Sequence, residues 1–400
     1  MPVFSRRSWQ PPEQNALSKA LVRAENTGQK IIDLTVSNPT LALPEARPAI
    51  SAAIAAAADA PYCPQPFGDL DARRRLVSHW SRIGVNARED DIALCASTSE
   101  AYSVLFKLFC DAGDEVLVPR PSYPLFEHLA QFDQVRLVPY QLVYDGAWHI
   151  DTDSVRRAVG SACRAIIVVN PNNPTGSYLT QDEVEQLFGV GLPLISDEVF
   201  ARYSLDGYTE ASAGAAAGSG SDRVQSLTGD ETRDSLVVSL DGLSKYAGLP
   251  QLKLAWMTLS GPDALVDEAR FRLEFLLDAY LSVSLPVQTA LGSILDAAVP
   301  THHAIRHRIS DNYRWMRAAL ADSEVTVLRT QGGWSQVLQL PATHSDEEWA
   351  LMLLEQSRVL VQPGWFYDFA KGAYVVISLL TPPDVLSQGC QRLLAACRSA

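Results

Sequence analysis

The stretch RAIIVVNPNNPTG, residues 164–176, joins an unbroken apolar run to a turn built from asparagine, proline and glycine. A β-branched run with no polar positions has no face to offer water, so it reads as a strand covered on both sides. Four further segments share the texture: EVLVP at 115–119, VRLVPY at 135–140, LPLISDE at 192–198 and SLVVSL at 235–240. Helical patterns separate them, which predicts an α/β protein with a mostly parallel central sheet between helical layers. Each run ends in polar, glycine or proline residues: Pro121, Ser122 and Tyr123, then 170–176, then Asp197 and Glu198, then 241–245. Ligands in open α/β sheets collect at the carboxyl ends of strands, so chemistry is expected in these loops.

Beyond Pro286 the pattern becomes long helices over 287–320 and 345–358, with shorter strands near 325–339 and 374–380. This predicts a large domain over 48–285 and a smaller α+β domain made of 286–400 together with the N-terminal arm, 1–47. Residues 209–222 are small and polar in composition and read as a surface loop.

A chain of 400 residues, 47% hydrophobic and 20% charged, is globular rather than fibrous or disordered. Its formal charge of −13 argues against a nucleic-acid or anionic-membrane partner, since phosphate surfaces attract dense lysine and arginine. The arginines at 73–75 read as a solvated helix face. Six cysteines (Cys63, Cys95, Cys110, Cys163, Cys390 and Cys397) lie at irregular spacings without a CxxC pair, which suits free thiols in a reducing cytoplasm. No metal site is expected. The opening MPVFSRRSWQPPEQ has no apolar core of an export signal, and no run approaches the roughly 18 apolar residues of a membrane span.

Candidate chemistry begins with Lys245 in SLDGLSKYAGLPQLKLAW, directly after the 235–240 run and a glycine-containing turn. An ammonium there is costly to bury without a partner, and taken alone it reads as a surface lysine. Asp197 ends LPLISDEVF, where a carboxylate suits a buried cation; capping a turn is the competing explanation. The asparagines of 170–176 are held by turn residues where an amide can face a ligand oxygen. Ser97, Thr98 and Ser99 in CASTSEAYSVLFKL precede an amphipathic helix whose N-terminus suits an anion, although Ser97 with Glu100 also spells a capping box.

Taken together, NPNNPTG, SDEVF and the spacing of Lys245 to Lys253 resemble the fold-type I, class I/II aminotransferases. The resemblance runs from SNPT at 37–40 to VVISLLTPP at 375–383. It implies the three-layer pyridoxal 5'-phosphate (PLP) transferase fold, PLP as cofactor, and a homodimer with sites at the interface. It also implies transfer of an amino group between an amino acid and a 2-oxo acid through a Schiff base on Lys245, which then shuttles a proton. On that basis Asp197 pairs with the pyridine nitrogen, Asn173 bonds the phenolic oxygen and Tyr123 stacks on the ring. A core tyrosine remains the other explanation of Tyr123. The phosphate falls to Ser97, Thr98, Ser99, Ser244 and Lys253, and Tyr62 reaches the neighbouring subunit's phosphate. Lys253 stands where the family usually has arginine, so a point charge replaces a fork.

Two departures bear on the reaction. Phe200 stands where the family has a tyrosine that bonds the phenolic oxygen, a bond that is then missing unless Tyr203 or a water substitutes. Val376 stands where the family has the arginine that clamps the substrate α-carboxylate. Arg202 and Arg47 are the candidates to replace it, although each taken alone reads first as a solvated surface arginine. Asn38, Trp334, Trp365 and Tyr367 are expected to wall the substrate pocket, with core packing an equal explanation of the aromatics. These departures keep elimination, cyclisation or oxidation by the same cofactor as an alternative outcome. A non-catalytic binding protein fits less well with Lys245, Asp197 and Asn173 all retained.

Overall fold

In the computed structural model, eight strands form one sheet in the order Ile92–Cys95, Ala255–Ser260, Val237–Gly242, Leu194–Asp197, Cys163–Val169, Glu115–Arg120, Arg136–Tyr144 and Trp148–Ile150. The structure describes the chain apart from residues 1–3, 6, 9–14, 44–47, 83–84, 206–221, 230–233 and 400. Arg47 and most of the 209–222 segment therefore lie outside the described residues. The five apolar runs of the sequence are five consecutive strands of this sheet, all parallel, with ends shifted by a few residues. Ala255–Ser260 and Trp148–Ile150 run antiparallel to their neighbours.

The absence of a polar face in these runs has a direct structural cause. Along Cys163–Val169, Ala165 and Ile167 enter a core shared with helices Thr98–Phe109 and Asp263–Asp278. Ile166 and Val168 enter the opposite core, with Val184 and Leu187 of helix Gln181–Phe188. Val116 and Val118 of the next strand point to the first core and Leu117 to the second. Side chains alternate in direction along a strand, so an all-apolar run requires a layer on each face. Each fully buried Leu, Ile or Val stabilises the fold by roughly 1.5–3 kcal/mol.

A second, four-stranded antiparallel sheet runs Thr326–Val327, Ser335–Gln339, Tyr374–Ser378 and Gln362–Pro363. Helices Asp346–Ser357 and Pro383–Ser399 pack on it. Helix Leu291–Ala319 connects the two regions. Its first half places Leu291, Ile294 and Ala298 beside Trp80 and Trp256, while its second half places Ile305, Ile309 and Met316 in the small-sheet core. The N-terminal segment joins the small sheet's side of the molecule. Ile32–Asp33 pairs in parallel with Val359–Leu360, and the Leu34 carbonyl accepts the Ser378 N–H at 2.7 Å. Among the described residues no helix is long and apolar enough to cross a membrane.

The turn at 170–176 ties these regions together. The Gly176 carbonyl accepts the N–H groups of Gln331 at 3.1 Å and Gly332 at 2.9 Å, just before strand Ser335–Gln339. Gly176 has φ +69°, and a Cβ there would collide with Thr330 Cγ2 and lie 2.5 Å from the Gly332 carbonyl oxygen. Gly176→Ala combines left-handed backbone strain with overpacking and is expected to destabilise the protein by about 2–4 kcal/mol. The midpoint of urea unfolding measures this; a variant as stable as the parent would contradict it.

Candidate active site

The carboxyl ends of the parallel strands open into a cleft that also meets the small sheet. Lining it are Ser97, Thr98, Ser99, Tyr123, Asn173, Asp197, Ser244, Lys245, Lys253 and Trp334 from the expected set. Long separations in sequence close into this one cavity because every contributing strand ends on the same edge of the sheet.

Asp197 is the last residue of strand Leu194–Asp197. Its Oδ1 accepts the Val199 N–H at 3.2 Å, and its Oδ2 accepts the Tyr102 hydroxyl at 2.9 Å. Burial pushes this carboxyl up to about 6, against the downward pull of the Tyr102 and Val199 bonds and the charge of Lys245. The Tyr102 hydroxyl is itself held far above its ordinary range, by burial first and by Asp197 second, so it stays a donor. Tyr102 lies on the buried face of helix Thr98–Phe109. Nothing in its sequence neighbourhood distinguishes it from a core aromatic, and only the helix packing brings it to a strand end 95 residues away.

Lys245 follows strand Val237–Gly242 in the one-turn helix Leu243–Tyr246. Its Nζ lies 5.3 Å and 5.1 Å from the ring centroids of Phe200 and Trp334. Burial lowers its pKa and the charge of Asp197 opposes the fall. A neutral amine is thus easier to reach here than at a solvated lysine. The Tyr203 hydroxyl donates to the Lys245 carbonyl at 2.6 Å. This corrects the idea that Tyr203 replaces the missing cleft tyrosine, because that hydroxyl is engaged with the main chain.

Within 170–176 the three asparagines separate by role. Asn170 donates to the Val224 carbonyl and accepts the Leu179 N–H, both at 3.0 Å. Asn172 donates to the Pro121 carbonyl at 3.1 Å and to Thr175 Oγ1 at 2.9 Å. Both hold the turn itself. Asn173 lines the cleft, and its Oδ1 accepts the Ser335 hydroxyl at 2.9 Å, which leaves Nδ2 as the donor toward the cavity.

Ser97 caps helix Thr98–Phe109, accepting the Glu100 N–H at 3.2 Å. The Glu100 carboxylate accepts the Ala96 N–H at 2.5 Å, so the cap suggested by the sequence exists with its second bond shifted one residue back. The cap occupies the Ser97 hydroxyl but leaves the N–H groups of Thr98 and Ser99 without intrahelical partners. With Ser244 and Lys253 on the same cavity, this end is electropositive and rich in donors.

Several expected residues lie elsewhere. Arg202 lines a small separate cavity with Glu198, Asp241, Trp80 and Trp256. Burial raises both carboxyls, Asp241 to about 7, and Arg202 pulls each back down. The attraction of these carboxylates for the guanidinium accompanies its place in this second cavity, away from the cleft. Asn38 is exposed and caps the short helix Pro39–Ala42 through Thr40, while Thr35 and Ser37 line the cleft instead. Trp365 is not part of the cleft lining; its neighbours Phe366 and Tyr367 in the 3-10 turn Gly364–Tyr367 are. Tyr62 is 74% exposed beside Cys63, Gln65 and Leu281, outside this chain's own cleft. Residues the sequence reading passed over are Tyr102, Ser335, Gln362, Phe366 and Ser378.

The donor set suits PLP. One end of the cleft offers helix-terminal N–H groups and a lysine for a phosphate, the middle a carboxylate withdrawn from water for a cationic ring nitrogen and an amide donor for an oxygen anion, and the floor an amine likewise withdrawn from water for an aldehyde. Known proteins point the same way. Residues 29–393 match the family described as aminotransferase class I and II. A glutamate–pyruvate aminotransferase of Haemophilus influenzae is 26% identical over 94% of this chain and 92% of that protein. The human tyrosine aminotransferase is 22% identical over 93% of this chain and 82% of its own length. An alanine aminotransferase structure from Pyrococcus furiosus, 23% identical, superposes with a TM-score of 0.85 over 99% of this chain and all 100% of its own. The matched span covers nearly the whole chain and contains every strand that builds the cleft, so this protein belongs to the class I and II aminotransferases.

Proposed function

We propose that this aminotransferase holds PLP in the cleft described above and moves an amino group between an amino acid and a 2-oxo acid, with Lys245 as its catalytic amine. The observation that carries the reading is the meeting of Asp197 and Lys245, both withdrawn from water, in one cavity with an anion-binding end. When bound, PLP supplies a carbonyl that condenses with amines and a pyridinium ring that accepts the electron pair released when a C–H bond beside nitrogen breaks.

The chain's own residues divide the remaining work. Asp197, oriented by Tyr102 and the Val199 N–H, presents a carboxylate to the ring nitrogen; facing a cation, its charge is favoured and the burial penalty is offset. Asn173 directs Nδ2 to the ring oxygen because Ser335 holds its Oδ1. Thr98, Ser99, Ser244 and Lys253 anchor the phosphate, while Tyr123 lies at the cavity wall as the stacking ring. Lys245, poised toward its neutral form by burial, takes the proton from the substrate carbon and returns it elsewhere.

The division into a large domain, 48–285, and a small one, 1–47 with 286–400, is supported by the two separate sheets. A homodimer with Tyr62 serving the neighbouring site is supported by the exposure of Tyr62 and of Phe271 and Phe275, at 73% and 81%, on helix Asp263–Asp278. Six free cysteines support a cytoplasmic setting.

Borohydride reduction of the PLP-loaded protein should leave the cofactor covalently on a peptide containing Lys245, as read by mass spectrometry. Lys245→Ala should abolish that labelling and lower turnover by a factor of about 100 to 10,000. Labelling at another lysine would overturn the assignment.

Asp197 also makes a pH-dependent contribution to the PLP-free protein. Its carboxyl rises from 3.8 to about 6 on folding, so between those values the folded state binds the extra proton. The penalty is absent below about pH 4 and complete above about pH 6, and one unit corresponds to about 1.4 kcal/mol. PLP-free Asp197→Asn is therefore expected to be more stable than the parent above pH 6, by up to about 3 kcal/mol, with the difference vanishing near pH 4. Urea unfolding across this range checks it, and a pH-independent difference would refute the cause given. In the loaded protein Tyr102→Phe should weaken PLP retention several-fold, roughly the effect of one hydrogen bond to a charged group, measured by dialysis against free PLP.

A further inference from the structure

Among the described residues of this subunit, the cleft carries little positive charge beyond its anion-binding end. Among the described residues its cationic side chains are Lys245 and Lys253, both committed to the cofactor in the reading above. Val376, at the position of the family's clamping arginine, is fully buried in an apolar core with Leu328, Val337 and Tyr367. Arg202 lines a separate cavity with Glu198 and Asp241. Arg308, from the helix behind strand Tyr374–Ser378, donates to the Leu380 carbonyl at 3.3 Å and stays out of the lining.

Neutral groups occupy the place of a clamp. Tyr367 donates its hydroxyl to Gln362 Oε1, so the remaining donor of that amide is Nε2. Ser335, Ser37 and Ser378 add hydroxyls, and Phe366 with Trp334 adds apolar surface. A carboxylate brought here exchanges water for neutral donors without a counter-charge, which is a net loss. An amide or hydroxyl makes the same hydrogen bonds at a much smaller desolvation cost.

We propose that one of this enzyme's exchange partners is a primary amine, with its matching carbonyl compound, whose reacting carbon bears a neutral polar neighbour such as a carboxamide or hydroxymethyl group rather than a carboxylate. This rests on the proposed PLP-dependent function. The exchange is balanced: the amine-bearing carbon gives up nitrogen and one hydrogen and becomes a carbonyl, while the acceptor's carbonyl carbon gains nitrogen and hydrogen and gives up its oxygen. The two-electron oxidation of one carbon matches the reduction of the other, and no outside oxidant takes part. Amino acids enter the same cleft, but weakly.

Calorimetric titration of the PLP-loaded protein with unreactive probes tests this without relying on turnover. The probes are 3-phenylpropanoate, 3-phenylpropanamide and 3-phenylpropan-1-ol. The two neutral compounds are expected to bind at least about tenfold more tightly than the carboxylate, the scale of one charge-assisted hydrogen bond forgone. Bleaching of the cofactor's absorption should likewise need lower concentrations of phenylalaninamide or phenylalaninol than of phenylalanine. Equal or tighter binding of the carboxylate, or failure of both neutral probes to bind, overturns the proposal. If the carboxylate wins and Arg47→Ala removes the advantage, residue 47 supplies the clamp and the proposal falls in the same way. Failure of the protein to take up PLP, or of borohydride to label position 245, would instead sink the underlying functional reading and is seen before any probe is added.

Discussion

A negative charge kept out of water at the end of a parallel strand is the constraint around which this molecule is arranged. Asp197 would be neutral or exposed in most surroundings; here a strand carries it inward, burial raises its carboxyl to about 6, and Tyr102 and the Val199 N–H hold its two oxygens. That combination is costly in an empty protein and advantageous opposite a cation. The class I and II aminotransferase family to which the chain belongs binds such a cation, and the structure presents Lys245 on the adjacent strand end. Stability is given up at this position in favour of chemistry, as is general for groups with strongly displaced protonation equilibria.

The surrounding architecture serves to keep that arrangement rigid. The parallel strands are packed on both faces, so their ends cannot shift independently. The 170–176 turn spends Asn170 and Asn172 on its own support and frees Asn173 for the cleft, while Gly176 joins it to the small sheet. Tyr203 fixes the main chain of Lys245 from behind. Asp197, Asn173 and Lys245 are thus each positioned by a second residue, Tyr102, Ser335 and Tyr203 respectively.

The departures from the family fall at both ends of the cleft, Lys253 and Phe200 on the cofactor side and Val376 on the substrate side. Phe200 and Val376 remove a hydroxyl and a guanidinium, and the two changes leave an aromatic, neutral enclosure around Gln362 and Ser335. Lys245, Asp197 and Asn173 all face the cleft. A site that keeps these three while losing the clamping arginine is better explained by a different substrate head group than by general decay.

Much of this was readable from local pattern. Apolar β-branched runs disclosed the parallel strands because strand burial leaves no polar alternation, and NPNNPTG, SDEVF and the Lys245–Lys253 spacing disclosed the cleft because each is a short turn fixed by its own residues. Tyr102 to Asp197 and Ser335 to Asn173 were not readable, since those contacts span 95 and 162 residues and arise from how helices and the second sheet pack. The same limit separates Phe366 and Tyr367 from Trp365, because a 3-10 turn decides which neighbour faces inward, and it sends Arg202 to the carboxylates of another cavity. By itself the sequence determined the elements and the loops that line the cleft, whose geometry depends on neighbours in the chain. Tertiary structure alone decided the partners, the orientations and the charge of the substrate end, because burial and Coulomb interaction depend on distance in space rather than along the chain.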